Sequence, residues 1–206
     1  MGWTEYRATH FNNNGTVNRK AECDAYFLES LNRGHYRVVK SVMVGSVYYG
    51  AITPLKRPIK GTDGNPLTDA NGWYIYEDIP HDEHEVIGVV MLTYVRSKDR
   101  FGYKLISETM GPNRCECPRS VLSKLTPTDS QWANDWRQKC LENISLPKLS
   151  SLPIGTEIKF TYNGKDVVLR KSAPRYQFKT SFWINDASGC YFSKKRIPRK
   201  FQIVKQ

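Results

Sequence analysis

The sequence lacks the features that mark membrane and secreted proteins. It has no run of about 18 apolar residues and no charged start followed by an apolar block, so we expect neither a transmembrane helix nor a secretory signal. Tyr6 stands where a myristoylation signal has Ser or Thr, which argues against a lipid anchor. We therefore expect a cytoplasmic protein that contacts no membrane.

Paired cysteines are also missing. The five cysteines are an odd number without a C-x-x-C pair, which indicates free thiols in a reducing compartment. The "CEC" segment at residues 115–117 could bring two thiolates to one metal ion, but this is not the spacing of the common structural zinc sites. We expect no metal. The cysteines are Cys23, Cys115, Cys117, Cys140 and Cys190.

Signatures of the common enzyme classes are absent as well. The chain contains no G-x-S-x-G, P-loop, Rossmann glycine pattern or zincin motif. The "HDEH" segment at residues 81–84 follows Pro80 in a polar stretch and is interpreted as a solvated turn, not a metal site. The sequence therefore predicts no catalytic residue, no cofactor and no stably bound small molecule.

One enzymatic alternative stays open. The segments "EYRATH", "SVYYGAI" and "DEHEVIG" loosely resemble the Arg, Ser/Tyr and Glu-x-Glu pieces of ADP-ribosyltransferases. In that interpretation Arg7 would hold dinucleotide phosphates and Glu85 would stabilise a developing ribosyl cation.

Acidic residues are scarce in the last part of the chain. Residues 1–145 have 18 Lys and Arg against 17 Asp and Glu, whereas residues 146–206 have 13 against 3. Nearly all of the net charge of +11 therefore lies at the C-terminal end. Such asymmetry is typical of chains that bind nucleic acid or another anionic partner.

Hydrophobic patterning predicts an α+β protein of two domains. Residues 1–145 should form a mixed sheet with two main helices, one over 18–33 capped by Asn18 and one after Pro127 with an apolar ridge that includes Trp132. After a Pro- and Ser-rich linker, residues 146–206 contain five short strand patterns and an Asn-Gly turn. We expect these to form a small SH3-like or OB-like β-barrel.

In this predicted barrel, cations alternate with aromatic residues. Period-two alternation would place Lys and Arg together on one face, where they could follow a phosphate backbone while exposed rings stack on bases. The alternative is that the lysines only protect strand edges, but edge protection works equally well with Glu. The predicted phosphate contacts are Lys171, Arg175, Lys179, Lys194, Lys195, Arg196, Arg199 and Lys200, and the predicted stacking residues are Tyr176, Trp183 and Tyr191.

Residues 1–143 resemble a family of bacteriophage and mobile-element proteins that has no assigned activity. The resemblance rests on "MGWTEYRATHF", "NRKAECDAYF", "KSVMVGSVYYGAI", "FGYKLISETMGP" and "LTPTDSQWANDWRQKC". It implies an accessory protein in the cytoplasm of a bacterial host. The basic C-terminal domain, and not the resemblance, predicts DNA, RNA or a nucleoprotein complex as partner. Nucleic-acid binding is the leading hypothesis, and interference with a host defence nuclease complex is one role that it could serve. Direct protein–protein inhibition of a defence effector is the alternative.

Overall fold

The computed structural model describes residues 2–29, 34–175, 180–198 and 200–205. The chain divides into two compact units, Met1–Ile144 and Ser145–Gln206. Within the described ranges, no helix has the length and apolar character needed to cross a membrane.

The N-terminal unit is built on an antiparallel sheet of five strands in the order β1-β7-β6-β3-β2. Strands β4 and β5 form a separate two-stranded sheet. The strands are β1 (Thr4–Arg7), β2 (Tyr36–Val44), β3 (Val47–Pro54), β4 (Lys56–Pro58), β5 (Tyr76–Asp78), β6 (Ile87–Val95) and β7 (Arg100–Ser107).

Helices cover both faces of the five-stranded sheet. One face packs through Tyr48 and Met91 against Phe27 of α1 (Arg19–Leu28). The other face packs against the short α2 (Arg119–Leu122) and against α3 (Gln131–Ser145). The central strand β6 is therefore buried on both sides, as its continuous apolar sequence predicts.

Helix α1 begins where the sequence predicts. The side chain of Asn18 accepts a hydrogen bond from the backbone N–H of Ala21, which satisfies one of the free donors of the first turn. The helix ends at Leu28, before the predicted end, and residues 30–33 lie outside the described part of the chain.

Helix α3 differs from its prediction in the face that it buries. Trp136 and Cys140 are buried with Ala133, whereas the Trp132 side chain is 67% exposed. The predicted four-residue ridge was therefore wrong at its first member. The buried stripe begins at Ala133, three residues before Trp136, because residues on one face of a helix recur at intervals of three as well as four.

The C-terminal unit contains a second antiparallel sheet, in the order β11-β10-β9-β8-β12. Asn163 and Gly164 have φ of 50° and 75° in the turn between β8 and β9, as an Asn-Gly hairpin requires. Among the described residues this sheet is open and does not close into a barrel. Its strands are β8 (Glu157–Tyr162), β9 (Lys165–Ser172), β10 (Phe182–Asn185), β11 (Cys190–Phe192) and β12 (Gln202–Lys205).

The mixed α+β class predicted from the sequence is confirmed by these helices and antiparallel sheets. The C-terminal unit has its own apolar core, in which Ile158, Leu169 and Trp183 are fully buried.

Candidate nucleic-acid interface

Two strand-borne cations of the C-terminal unit, Arg170 and Lys159, are in ion pairs. Arg170 donates two hydrogen bonds to the carboxylate of Asp186, at 2.6 and 2.7 Å. On the neighbouring strand, the Lys159 Nζ lies 2.7 Å from the Asp166 carboxylate. Two of the three carboxylates in this unit are thus paired with cations on the sheet.

Lys171 is a structural residue and not a phosphate contact. Its side chain is 4% exposed, and its ammonium donates hydrogen bonds to the carbonyl oxygens of Ser150, at 3.0 Å, and Leu152. Burial, with a smaller contribution from Lys194, lowers the pKa of Lys171 below its usual value. The prediction of a surface role for Lys171 was wrong, because this position of β9 faces the core.

Trp183 is likewise unavailable for stacking on a base. It is opposite Lys171 in the register of β9 and β10, and it is fully buried in the core of the unit. Adjacent strand residues point to opposite faces, so Phe182 faces away from that core.

Arg175 and Tyr191 meet on the face of the sheet opposite the core. The Arg175 guanidinium lies 5.7 Å from the centroid of the Phe182 ring, and Tyr191 contacts the same ring edge to face at 5.2 Å. Arg175 is exposed and the Tyr191 side chain is 48% exposed. A cation and an accessible aromatic ring are therefore held together at the start of β10.

The main concentration of unpaired charge is the cationic turn, Lys194–Arg196, between β11 and β12. Its residues form one turn of 3-10 helix, with the Ser193 side chain accepting a hydrogen bond from the backbone N–H of Lys195. All three side chains are exposed. Within the described part of the C-terminal unit, none of them is in an ion pair, and two of the three carboxylates of this unit, Asp166 and Asp186, are paired with other cations.

Further cations lie close to the turn in the sequence or in space. Lys200 is exposed four residues after the turn, and Lys148 lines the same surface groove as Lys194. Lys148 was missed at the sequence level because it belongs to the Pro- and Ser-rich segment interpreted as a linker. Tyr176, Lys179 and Arg199 lie outside the described residues.

Arg7 and Glu85, the two residues of the transferase alternative, do not lie in one cleft. Arg7 pairs with Arg100 next to the Val95 end of β6, while Glu85 precedes the opposite end of that strand. At about 3.3 Å per strand residue, the two side chains are roughly 30 Å apart. Arg7 also pairs with Asp99 at 3.0 Å.

Three cysteines of the N-terminal unit lie close together. Cys115 and Cys117 lie near Cys140 of α3, and burial raises the pKa of each thiol, to about 12 for Cys140. The thiolate is the reactive form of cysteine, so these buried thiols are less reactive than free ones. Among the described residues, no group of three or more His, Cys, Asp and Glu is arranged to hold a metal ion.

Comparison with known proteins adds no relative. No protein-family model matches the chain, and no curated protein and no solved structure is similar to it.

Proposed function

We propose that the chain is a nucleic-acid-binding accessory protein whose C-terminal unit holds a phosphate backbone. The observation that supports this most directly is the cationic turn. Three adjacent exposed cations without a carboxylate partner in their unit repel one another. Phosphates would relieve that repulsion and would release counterions on binding.

The fold of the C-terminal unit is compatible with this role. We propose an SH3-like arrangement of this unit over an OB-like one. Its strand order and the 3-10 turn before its last strand support this choice. In that arrangement the cationic turn lies in a connection and not on a strand, where its side chains are free of the sheet's ion pairs.

The biological setting remains part of the proposal. The resemblance of residues 1–143 to phage and mobile-element proteins is the basis for a role in the cytoplasm of a bacterial host. There the protein would bind DNA, RNA or a nucleoprotein complex and interfere with a defence nuclease. Its basic charge favours contact with the nucleic acid or with an acidic protein face.

The test is simultaneous reversal of Lys194, Lys195 and Arg196 to Glu. Binding to fluorescein-labelled DNA and RNA, followed by fluorescence anisotropy, should be lost because three phosphate contacts become repulsive. The melting temperature should change little, since the three side chains are exposed and in no ion pair of their unit.

The matched control reverses three exposed lysines of the N-terminal unit, Lys98, Lys124 and Lys139. This variant has the same change in net charge and should keep its affinity. Equal binding by the wild-type protein and the turn variant would contradict the proposal.

A second candidate function, contact with a partner protein, is favoured by an arm in the N-terminal unit. The arm consists of residues 56–79, in which three chain segments are joined by backbone hydrogen bonds. The N–H of Ile59 donates to the Ile75 carbonyl at 2.9 Å, and the N–H of Ile75 donates to the Leu67 carbonyl at 3.0 Å. The N–H of Leu67 donates in turn to the Ile59 carbonyl at 2.8 Å. Trp73, at 63%, and Tyr74 are strongly exposed on it.

The chemistry of the arm suits a protein better than a nucleic acid. It contains three Lys and Arg against four Asp and Glu, so it offers phosphates no net attraction. Exposed Trp and Tyr are typical anchors of protein interfaces. This arm supports the alternative of a protein that acts directly on a defence effector.

A further inference from the structure

A groove in the C-terminal unit adjoins the cationic turn. It has a volume of about 390 Å³ and includes Lys194, the first residue of the turn. Ligand pockets in proteins begin at about 300 Å³, so the groove suits a single ring system better than a larger ligand. Its lining includes Lys148, Leu149, Ser150, Lys194, Ile197 and Phe201.

The floor of the groove is apolar and anchored to the core. Ile197 is buried in the core cluster, and Leu149 and Phe201 pack against that cluster while remaining partly accessible. Phe201 supplies an aromatic ring. The groove therefore offers a firm apolar surface with one ring, on which a flat ligand could stack.

The wall formed by residues 147–150 is held in place by Lys171. The buried ammonium bridges the carbonyl oxygens of Ser150 and Leu152. The β9 backbone adds hydrogen bonds from Gly155 N–H to the Lys171 carbonyl, at 2.8 Å, and from Lys171 N–H to the Thr156 carbonyl, at 2.9 Å. The segment interpreted as a linker from the sequence is thus fixed to the sheet and shapes a site.

The rim of the groove is positive. Lys148 and Lys194 are both exposed and both line it, and Lys195 and Arg196 continue the charge along the turn. A complementary ligand combines a flat apolar group with negative charges on either side of it. A strand of nucleotides has this composition, because each base is flanked by phosphates.

We propose that the groove receives one base of a single-stranded nucleic acid, while the neighbouring phosphates contact Lys148 and Lys194. This inference rests on the proposed nucleic-acid binding and specifies the form of the ligand. A duplex would meet only the cations, since its base faces are covered within the stack. Single strands should therefore bind more tightly than duplexes of the same sequence.

The experiment compares three labelled probes on the full-length protein at one salt concentration. They are a 12-nucleotide single strand, its duplex, and a 12-nucleotide single strand of abasic sites that keeps the phosphates without the bases. We expect the single strand to bind at least about tenfold more tightly than either other probe, which is the size of one stacking contact.

A conservative substitution locates the effect. Phe201→Leu keeps an apolar floor but removes the aromatic ring, and it should weaken single-strand binding about fivefold or more while leaving duplex binding unchanged. The unchanged duplex affinity also shows that the variant is folded. The matched control is Tyr162→Leu, a partly buried aromatic of the same core cluster outside the groove, which should leave the preference intact.

The outcomes separate the two proposals. Equal affinity for all three probes, lost on reversal of the cationic turn, would overturn the groove inference and leave nucleic-acid binding standing. Absence of binding to every probe at low salt would overturn both. A labelled peptide of alternating Glu and Phe that binds more tightly than the single strand would also overturn the inference, by assigning the groove to an acidic peptide.

Discussion

At the scale of single residues, a bidentate ion pair joins Arg137 of α3 to the buried Glu108. Two guanidinium nitrogens donate to the two carboxylate oxygens, each at 2.7 Å. The backbone N–H of Gly88 donates to the same carboxylate at 2.7 Å, and Arg137 also donates to the Thr126 carbonyl. This network connects the helix with strand β6.

We expect Arg137→Ala to destabilise the N-terminal unit by about 3–5 kcal/mol, because it leaves the Glu108 carboxylate buried without a counter-ion. Urea unfolding monitored by tryptophan fluorescence would measure the free energy of unfolding. Lys139→Ala removes the same charge from an exposed position of α3 and should change it by less than about 0.5 kcal/mol. A similar small change for both variants would contradict the structural role of the pair.

The same residue scale shows why the site was only partly predictable. Alternation along β9 and β10 separates two faces of the sheet, but the sequence does not say which face is covered. Lys171 and Trp183 lie on the covered face, where a lysine is tolerated because two carbonyl oxygens accept its hydrogens. The exposure of the cationic turn was easier to predict, because adjacent cations cannot all point into an apolar core.

At the scale of elements, the arm gives the sharpest test of the protein-contact alternative. We expect the double substitution Trp73→Ser and Tyr74→Ser to reduce capture of a host partner without altering nucleic-acid affinity, since the arm has no net positive charge. Pull-downs from nuclease-treated host extract, quantified by mass spectrometry, would compare it with the wild-type protein.

The control for the arm is Trp132→Ser, which removes an equally exposed tryptophan from α3. It should retain the same partners as the wild-type protein. If the arm variant keeps its partners, or if the control loses them equally, the arm is not the interaction surface.

Elements with strong local signals were predictable, and those decided by packing were not. Asn18 and the Asn163-Gly164 turn are fixed by local hydrogen bonding and backbone geometry, so a short stretch of sequence suffices. The exposure of Trp132 and the open edge of the second sheet depend on which other segments cover them. That information is distributed over the whole chain.

At the scale of the whole molecule, charge and structure divide at nearly the same place. The boundary between the two units lies between residues 144 and 145 of the chain, and the excess of Lys and Arg begins in the same region. The N-terminal unit is nearly neutral and offers exposed aromatic residues, whereas the C-terminal unit is strongly basic. If the two units have separate partners, long-range attraction to a polyanion should come from the second unit alone.

This separation predicts a specific salt dependence of binding. If six of the exposed cations of this unit each contact a phosphate, the slope of log affinity against log salt on a single strand is about −4, at about −0.7 per contact. The six are Lys148, Arg175, Lys194, Lys195, Arg196 and Lys200. Changing Lys194, Lys195 and Arg196 to Ala should reduce the slope to about −2, because three contacts remain.

Alanine replacement of Lys98, Lys124 and Lys139 in the first unit should leave the slope near −4. Anisotropy titrations from 50 to 300 mM KCl would measure it, and equal slopes for the two triple variants would show that the attraction is not confined to the basic unit.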